Sequence, residues 1–340
     1  MHKKPFTLNS GVIGMGIGEK HALAYQRHSV SNLESVCDFD RKIIMKLKNK
    51  FPDVNVYCNS QSILKDNNIN VVSIASYDNN HATQIVQALE SKKHVMAEKP
   101  LCQSSKELLQ IHETQKRNPK VRLSSNLVLR TNSRFIKFRN DIREGKLGEV
   151  FYLEGDYFWG RKDKLFGWRA EMNYYSIILG AAIHMIDLIM WLIDSRPVSV
   201  QAIGNDISSK KTNLMFNSFA VILLKFENGV VAKITGNGGC VHPHFHGLNV
   251  FGTKQTAIHN LTGAYYLDSS KSDFKPVYIN EPYPEKKSRE KVIHSFVDSI
   301  LDSSLTPLVP QQDVYDVMSV CFAAEKAMNT GNTIQVNYLS

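Results

Sequence analysis

Up to about residue 126 the hydrophobic positions alternate between short apolar runs and stretches with helical spacing. The runs at 6–13, 33–37, 71–75, 94–97 and 122–126 predict buried strands, with a short extended piece at 54–57. Between them, 19–27, 41–51, 81–91 and 105–116 predict helices, and 62–65 a helical turn. Ala22, Leu23 and Tyr25 supply the packing face of the first helix. Strand and helix in alternation predict an α/β domain with a doubly wound parallel sheet. The pattern then changes. Strands at 149–158, 198–203, 218–226, 230–236 and 248–251 follow one another, several joined by turns such as Glu227-Asn228-Gly229. Helices are predicted at 289–301 and 314–328, the second stopped by Thr330-Gly331. This half reads as an α+β domain, and the boundary near residue 127 divides the chain into 1–127 and 128–340.

The first strand runs into Gly14-Met15-Gly16-Ile17-Gly18, a helix follows, and the second strand ends at Asp38. Strand, glycine turn, helix, strand and acid is the order that a dinucleotide site requires. The glycines admit a pyrophosphate to the backbone and the helix N-terminus faces its charge. Asp38 would accept the adenosine ribose hydroxyls and repel a 2′-phosphate, which favours NAD; Arg41 leaves NADP open. The spacing departs from GxGxxG, since the third glycine is Gly18 and not residue 19.

Composition changes this picture little. The 340 residues are 43% apolar and 21% charged, as in ordinary globular proteins, and suffice for two domains. The net charge of +9 is spread along the chain with no basic arm, which excludes a nucleic-acid reading and suits an anionic small molecule. Five cysteines, odd in number and without a CxxC pair, argue for a reducing compartment and against structural zinc. Residues 1–6 carry no signal-peptide apolar region, and the apolar run 176–193 contains His184, Asp187 and Asp194, so it reads as a buried helix. The expectation is a cytoplasmic protein with no membrane partner.

Three features carry chemistry. Lys99 lies between Glu98 and Pro100 at the end of a buried strand, where open parallel sheets present working residues. Desolvated there, a lysine can relay a proton. His184 lies three residues before Asp187 on one helix face, where the carboxylate can orient the imidazole. Arg161, Lys162, Lys164 and Arg169 share a loop with Phe166 and Trp168, a mixture that suits a sugar ring stacked on an aromatic with its phosphate on a guanidinium. A merely solvated basic loop is the ordinary alternative. His242-Pro243-His244-Phe245-His246 invites a metal reading, but apart from Cys240 no further ligand stands at suitable spacing, and no metal is expected.

The order of these motifs resembles the Gfo/Idh/MocA oxidoreductases, the glucose–fructose oxidoreductase and inositol dehydrogenase-like enzymes. The resemblance rests on the glycine turn followed by His21, on Ser76-Tyr77-Asp78 leading to His81, and on His94-Val95-Met96-Ala97-Glu98-Lys99-Pro100. Gly145-Lys146-Leu147-Gly148-Glu149-Val150, Gly167-Trp168-Arg169, His184-Met185-Ile186-Asp187 and Phe251-Gly252-Thr253 extend it over nearly the whole chain. It implies an N-terminal Rossmann domain and a C-terminal domain with a large, mostly antiparallel sheet, one face of which commonly forms a homodimer or homotetramer interface. It implies cofactor contacts from Gly14, Met15, Gly16, Ile17, Gly18, Asp38, Ser76, Tyr77, His81, Glu98, Lys99 and Asn126. Catalysis falls to Lys99 and His184, and substrate contacts to Lys99, Arg130, Trp168, Arg169, Tyr175, His184 and Asp187. The implied function is an NAD(H)-dependent oxidoreductase acting on a hydroxyl or ketone of a sugar derivative, here expected to be a sugar phosphate or nucleotide sugar. Transient use of NAD in glycoside hydrolysis and a non-catalytic dinucleotide sensor are the alternatives. One departure matters: the family has glycines and then an aspartate four residues before the histidine, and here Tyr174-Tyr175-Ser176 and Gly180 replace them.

Overall fold

The computed structural model describes residues 7–268, 270 and 274–340. The strand expected from residue 6 begins at Leu8; Phe6 and the rest of 1–6 lie outside the described residues. In chain order the first elements are β1 (Leu8–Ile13), α1 (Gly18–Arg27), β2 (Ser31–Cys37), α2 (Arg41–Lys50), β3 (Asn55–Tyr57) and α3 (Gln61–Leu64). Then come β4 (Val71–Ile74), α4 (Asp78–Glu90), β5 (His94–Ala97), α5 (Ser105–Arg117) and β6 (Leu123–Ser125). The second half contains α6 (Ser133–Arg143), β7 (Val150–Phe158), α7 (Ile183–Ile193), β8 (Pro197–Asn205), β9 (Phe219–Phe226) and β10 (Val231–Asn237). It continues with β11 (Phe245–Gly252), β12 (Gln255–Asn260), β13 (Gly263–Asp268), β14 (Val277–Tyr278), α8 (Glu290–Leu301), α9 (Gln311–Thr330) and β15 (Ile334–Gln335).

The chain divides into two compact units, Met1–Leu127 with Lys287–Tyr315, and Val128–Lys286 with Asp316–Ser340. In the first, six parallel strands run in the order β3-β2-β1-β4-β5-β6. Val12, Val36, Val72, Ile74, Val95 and Met96 are fully buried, as apolar runs covered on both faces require. Caps start the helices where the chain leaves the sheet. The Asp40 carboxylate accepts from the Lys42 amide, and Ser104 and Glu107 form a reciprocal capping box before α5. The strand order reverses between β1 and β4, which opens a crevice at their C-terminal ends.

The first unit also takes in Lys287–Tyr315, a segment that a single boundary at 127 assigns to the second half. The reason is an amphipathic helix. Val292, Ile293, Phe296 and Val297 of α8 are buried. Its polar side chains reach α1 and its C-cap: Arg27 donates to Glu290 at 2.8 Å, His28 lies 3.0 Å from Asp298, and His294 donates to the Ala24 carbonyl at 3.0 Å.

The second unit is a nine-stranded sheet in the order β14-β13-β12-β11-β7-β10-β9-β8-β15. Within this sheet only the β7–β10 pair is parallel among the described strands. Strands such as β9 and β10 alternate buried with more exposed positions, so one face is covered. Helix α7 can lie close to it because two facing positions lack side chains. A Cβ on Gly155 would stand 3.1 Å from Met185 and Ile189, and one on Gly236 would stand 3.3 Å from Ala182 at the N-cap of the helix. Among the described residues no helix is long and apolar enough to cross a membrane.

Candidate active site

In the first unit the glycine turn shows three different uses of a missing side chain. Gly14 has φ +86°, and a Cβ there would lie 2.4 Å from the Ala75 carbonyl oxygen. At Gly16 a Cβ would meet nothing within 4 Å, which leaves the backbone open to an approaching group. Gly18 opens α1, and a Cβ on it would stand 2.9 Å from Val12 and 3.1 Å from Ala75. It therefore permits the close helix–strand packing that the third glycine of the usual motif serves, one position early. Asp38 ties the turn together: its carboxylate accepts from the Met15 amide at 2.8 Å and the Asp40 amide at 2.9 Å. A carboxylate has about four acceptor sites, so capacity remains for ribose hydroxyls. Phe39 and Tyr77, both exposed, meet edge to face at 5.5 Å beside this acid.

Lys99 leaves the end of β5 half-buried, and the peptide bond to Pro100 is cis. Next to it Glu98 lies at the centre of a buried network. Its Oε1 is 3.1 Å from His21 Nε2 and accepts from Asn126 Nδ2 at 2.6 Å, while Oε2 accepts from the Lys99 amide at 3.2 Å. Burial pushes the Glu98 carboxyl up, but the His21 and Asn126 hydrogen bonds and the Lys99 charge outweigh it and hold it at about 2. Glu98 is thus an anion beside Lys99. The His21 ring is fixed from its other side by Ser73, which also meets Tyr25. The Asn126 side-chain oxygen is buried without a hydrogen-bond partner. His81 is buried, and its two ring nitrogens lie 2.7 Å from the Pro100 carbonyl and 3.0 Å from that of Ser76. It braces the loop carrying Ser76 and Tyr77 against the one carrying Lys99.

In the second unit the segment before His184 is built by side chains. Ser176 Oγ accepts from the Ile178 and Leu179 amides, each at 3.0 Å, and donates to Glu325, whose carboxyl burial pushes up. Ile178–Ala182 forms a π-helical turn that continues into α7. A Cβ on Gly180 would lie 2.2 Å from the Tyr175 hydroxyl and 2.7 Å from its ring. The phenol therefore fills the space that any side chain at 180 would need. Tyr175 in turn stacks parallel on Trp159, with centroids 6.1 Å apart.

His184 is buried, and its ring stacks on Tyr157 at 5.7 Å. Asp187, three residues further along α7, is clamped by Arg130, with contacts of 2.6, 3.1 and 3.2 Å, and both side chains are buried. In the basic loop Arg169 lies over Trp168 at 4.1 Å and over Trp159 at 5.7 Å, with Lys164 over Trp159 at 5.1 Å. Among the described residues Arg169 meets no carboxylate. His242 stacks on Phe158, His244 Nδ1 lies 3.2 Å from the Trp159 carbonyl and His246 Nδ1 2.5 Å from the Tyr283 hydroxyl, and no group of three potential metal ligands is found among the described residues.

Tyr157, His246 and Tyr283 were not anticipated as site residues. Their signal was faint: alternation along β7 marks Tyr157 as inward-facing, and the His-x-His spacing marks His246 as sharing a face with His244.

Residues 8–126 match the family model for the oxidoreductase family with an NAD-binding Rossmann fold, and residues 135–258 match the GFO/IDH/MocA C-terminal domain. The inositol 2-dehydrogenase of Salmonella paratyphi B (strain ATCC BAA-1250 / SPB7) is 24% identical over 339 residues, 96% of each chain. The crystal structure of myo-inositol 2-dehydrogenase from Lactobacillus plantarum superposes with a TM-score of 0.83 at 20% identity, covering 97% of this chain and 100% of that one. Levoglucosan dehydrogenase in complex with NADH and L-sorbose gives 0.85 at 19% identity, covering 98% and 99%.

Proposed function

Because the chain belongs to the Gfo/Idh/MocA family and is an NAD-binding oxidoreductase, we propose that it interconverts a hydroxyl and a ketone on a sugar derivative or cyclic polyol. The relatives named above are dehydrogenases of inositols and of levoglucosan. The residues of the first unit fit the cofactor. Gly16 leaves open space at the turn, Asp38 has acceptor capacity left, and the buried Asn126 oxygen lacks the donor that a carboxamide would provide. Bound NAD supplies a hydride acceptor for the carbinol carbon.

The observation that carries the reading is the buried network in which Glu98, held by His21 and Asn126, accepts from the Lys99 backbone amide at the end of β5. Lys99, at the end of β5 beside this carboxylate, is the proton carrier on the cofactor side. His184 is the second proton carrier, accepting the hydroxyl proton in oxidation. Ser76, Tyr77 and His81 support the cofactor, His81 as a brace, and Trp168, Arg169 and Tyr175 serve the substrate. The buried Arg130–Asp187 pair serves it indirectly, by fixing α7.

The finer assignment is a phosphorylated or nucleotide-linked sugar. It is supported by Arg169, a guanidinium with aromatic faces beneath it and no carboxylate partner among the described residues. A screen of the purified protein with NAD, NADP or NADH against inositols, sugars, sugar phosphates and nucleotide sugars, read at the nicotinamide absorbance, tests both levels. Turnover of phosphorylated over neutral forms is the expected result. Neutral forms turned over equally well would remove the anionic assignment. Product without net nicotinamide change would move the protein to glycoside hydrolysis, and tight NAD binding with no turnover would make it a sensor.

A further inference from the structure

The motif ending in His246 has no part in the reading above, yet His246 is only 4% exposed and sits in register beside Tyr157 on the neighbouring strand β7. In-register side chains share one face of a sheet. Tyr157, stacked on His184, meets His246 edge-on at 4.9 Å, and the two imidazoles lie edge to face with centroids 6.2 Å apart. One water molecule spans such a gap. On the far side, His246 Nδ1 and the Tyr283 hydroxyl are 2.5 Å apart. Both histidines are buried, whereas Tyr283 is half-exposed. The row thus runs from a buried imidazole to the hydroxyl of a half-exposed tyrosine.

We propose that His246 and Tyr283 form a proton relay between His184 and water. It rests on His184 accepting the substrate's hydroxyl proton. In oxidation, that proton passes from His184 to Nε2 of His246 as the Nδ1 proton of His246 moves to the Tyr283 oxygen and the Tyr283 hydroxyl proton goes to water. One proton enters and one leaves, so no charge stays on the row. A flip of the His246 ring resets it, and reduction runs the transfers backwards. The flanking groups do not compete. Burial, with the Arg161 and Lys164 charges, lowers His244 to about 4, and burial with Arg134 lowers His259 to about 3, so both are neutral near pH 7. Tyr157 is the remaining titratable group in ring contact with His184 and His246 among the described residues.

The test is Tyr283→Phe, which keeps the ring in its aromatic surroundings and removes the hydroxyl. In the NAD-loaded protein kcat should fall by roughly tenfold, with KM unchanged, the solvent deuterium effect raised, and kcat restored by added imidazole buffer. Unchanged kcat, or a loss that imidazole does not relieve, overturns the relay. A second measurement needs no turnover. Ring-nitrogen NMR of the ligand-free protein should show His246→Gln moving the titration midpoint of His184, and Tyr283→Phe changing the His246 tautomer signals. If neither moves, the relay is overturned even where the dehydrogenase reading stands. If both move while every substrate fails, that reading falls and the coupling remains.

Discussion

The glycine turn of the first unit and the 174–184 segment of the second both depart from the pattern of their family, and they accommodate the departure by opposite means. At the turn the third glycine arrives one residue early, and the backbone absorbs the change. Gly18 still sits where Val12 and Ala75 leave no space for a side chain. Before His184 the glycines have become Tyr174-Tyr175-Ser176, and side chains take over. Ser176 caps the helical turn, and the Tyr175 phenol fills the hollow over Gly180. A site made of backbone needs only that certain positions stay empty. A site made of side chains needs volumes and hydrogen bonds to match in pairs, so one change demands another.

The prediction with the largest effect is Asp187→Asn. It leaves the Arg130 guanidinium without its counter-ion in a buried position, and the second unit should lose about 3–5 kcal/mol of stability in denaturant unfolding. An insensitive protein would mean that α7 is fixed by packing alone. Lys99→Ala, which takes a single functional side chain from the backbone-built unit, should lower kcat by about 100-fold or more, with NAD affinity little changed by calorimetry. Near-normal turnover would make Lys99 structural.

The pairing of Tyr175 with Gly180 is tested directly by Gly180→Asp. Alone it forces a carboxylate against the phenol and should cost about 1–3 kcal/mol, read as a lower Tm. Combined with Tyr175→Gly it should regain most of that loss. Additive losses in the double variant would refute the complementarity.

Acid unfolding separates the two regions by window. Glu98 titrates near 2 when folded and near 4.5 when unfolded, so its contribution is present above pH 4.5 and is lost as pH falls toward 2. His259 is neutral in the fold down to about 3, while the unfolded chain takes up its proton near 6.5, so stability falls across that wider range. Glu98→Gln should flatten the lower window and His259→Gln the upper, each by about 1–3 kcal/mol. Unchanged acid limbs in these variants would remove the distinction. The smallest effect is Arg169→Lys, which keeps the charge but loses the planar fork, and should raise KM for an anionic substrate by roughly tenfold. Salt-independent KM in the wild type would make the basic loop a solvated surface.

Legibility in the sequence follows the same division. The alternation of apolar runs with helical spacing, the glycines and Asp38 gave the first sheet and its crevice, because backbone demands are written as absent side chains at fixed spacing. His184 was visible through its helix, but its surroundings were not. Nothing in the order of residues says that Tyr175 lies over Gly180, or that Arg130 clamps the Asp187 carboxylate, since those are meetings of distant or differently facing side chains. Tyr283 was missed for the same reason: it follows β14 in a stretch without periodicity and reaches His246 only through the fold.

The return of Lys287–Tyr315 to the first unit also has a consequence for how the protein is made. A nascent chain emerges from its N-terminus, and domains that are continuous in sequence can finish folding before the next is synthesised. This one cannot. The apolar face of α8 and its bonds to α1 and the adjoining His28 are supplied only after the whole strand-rich body of the second unit has been translated. The dinucleotide-binding half is therefore begun first and completed near the end.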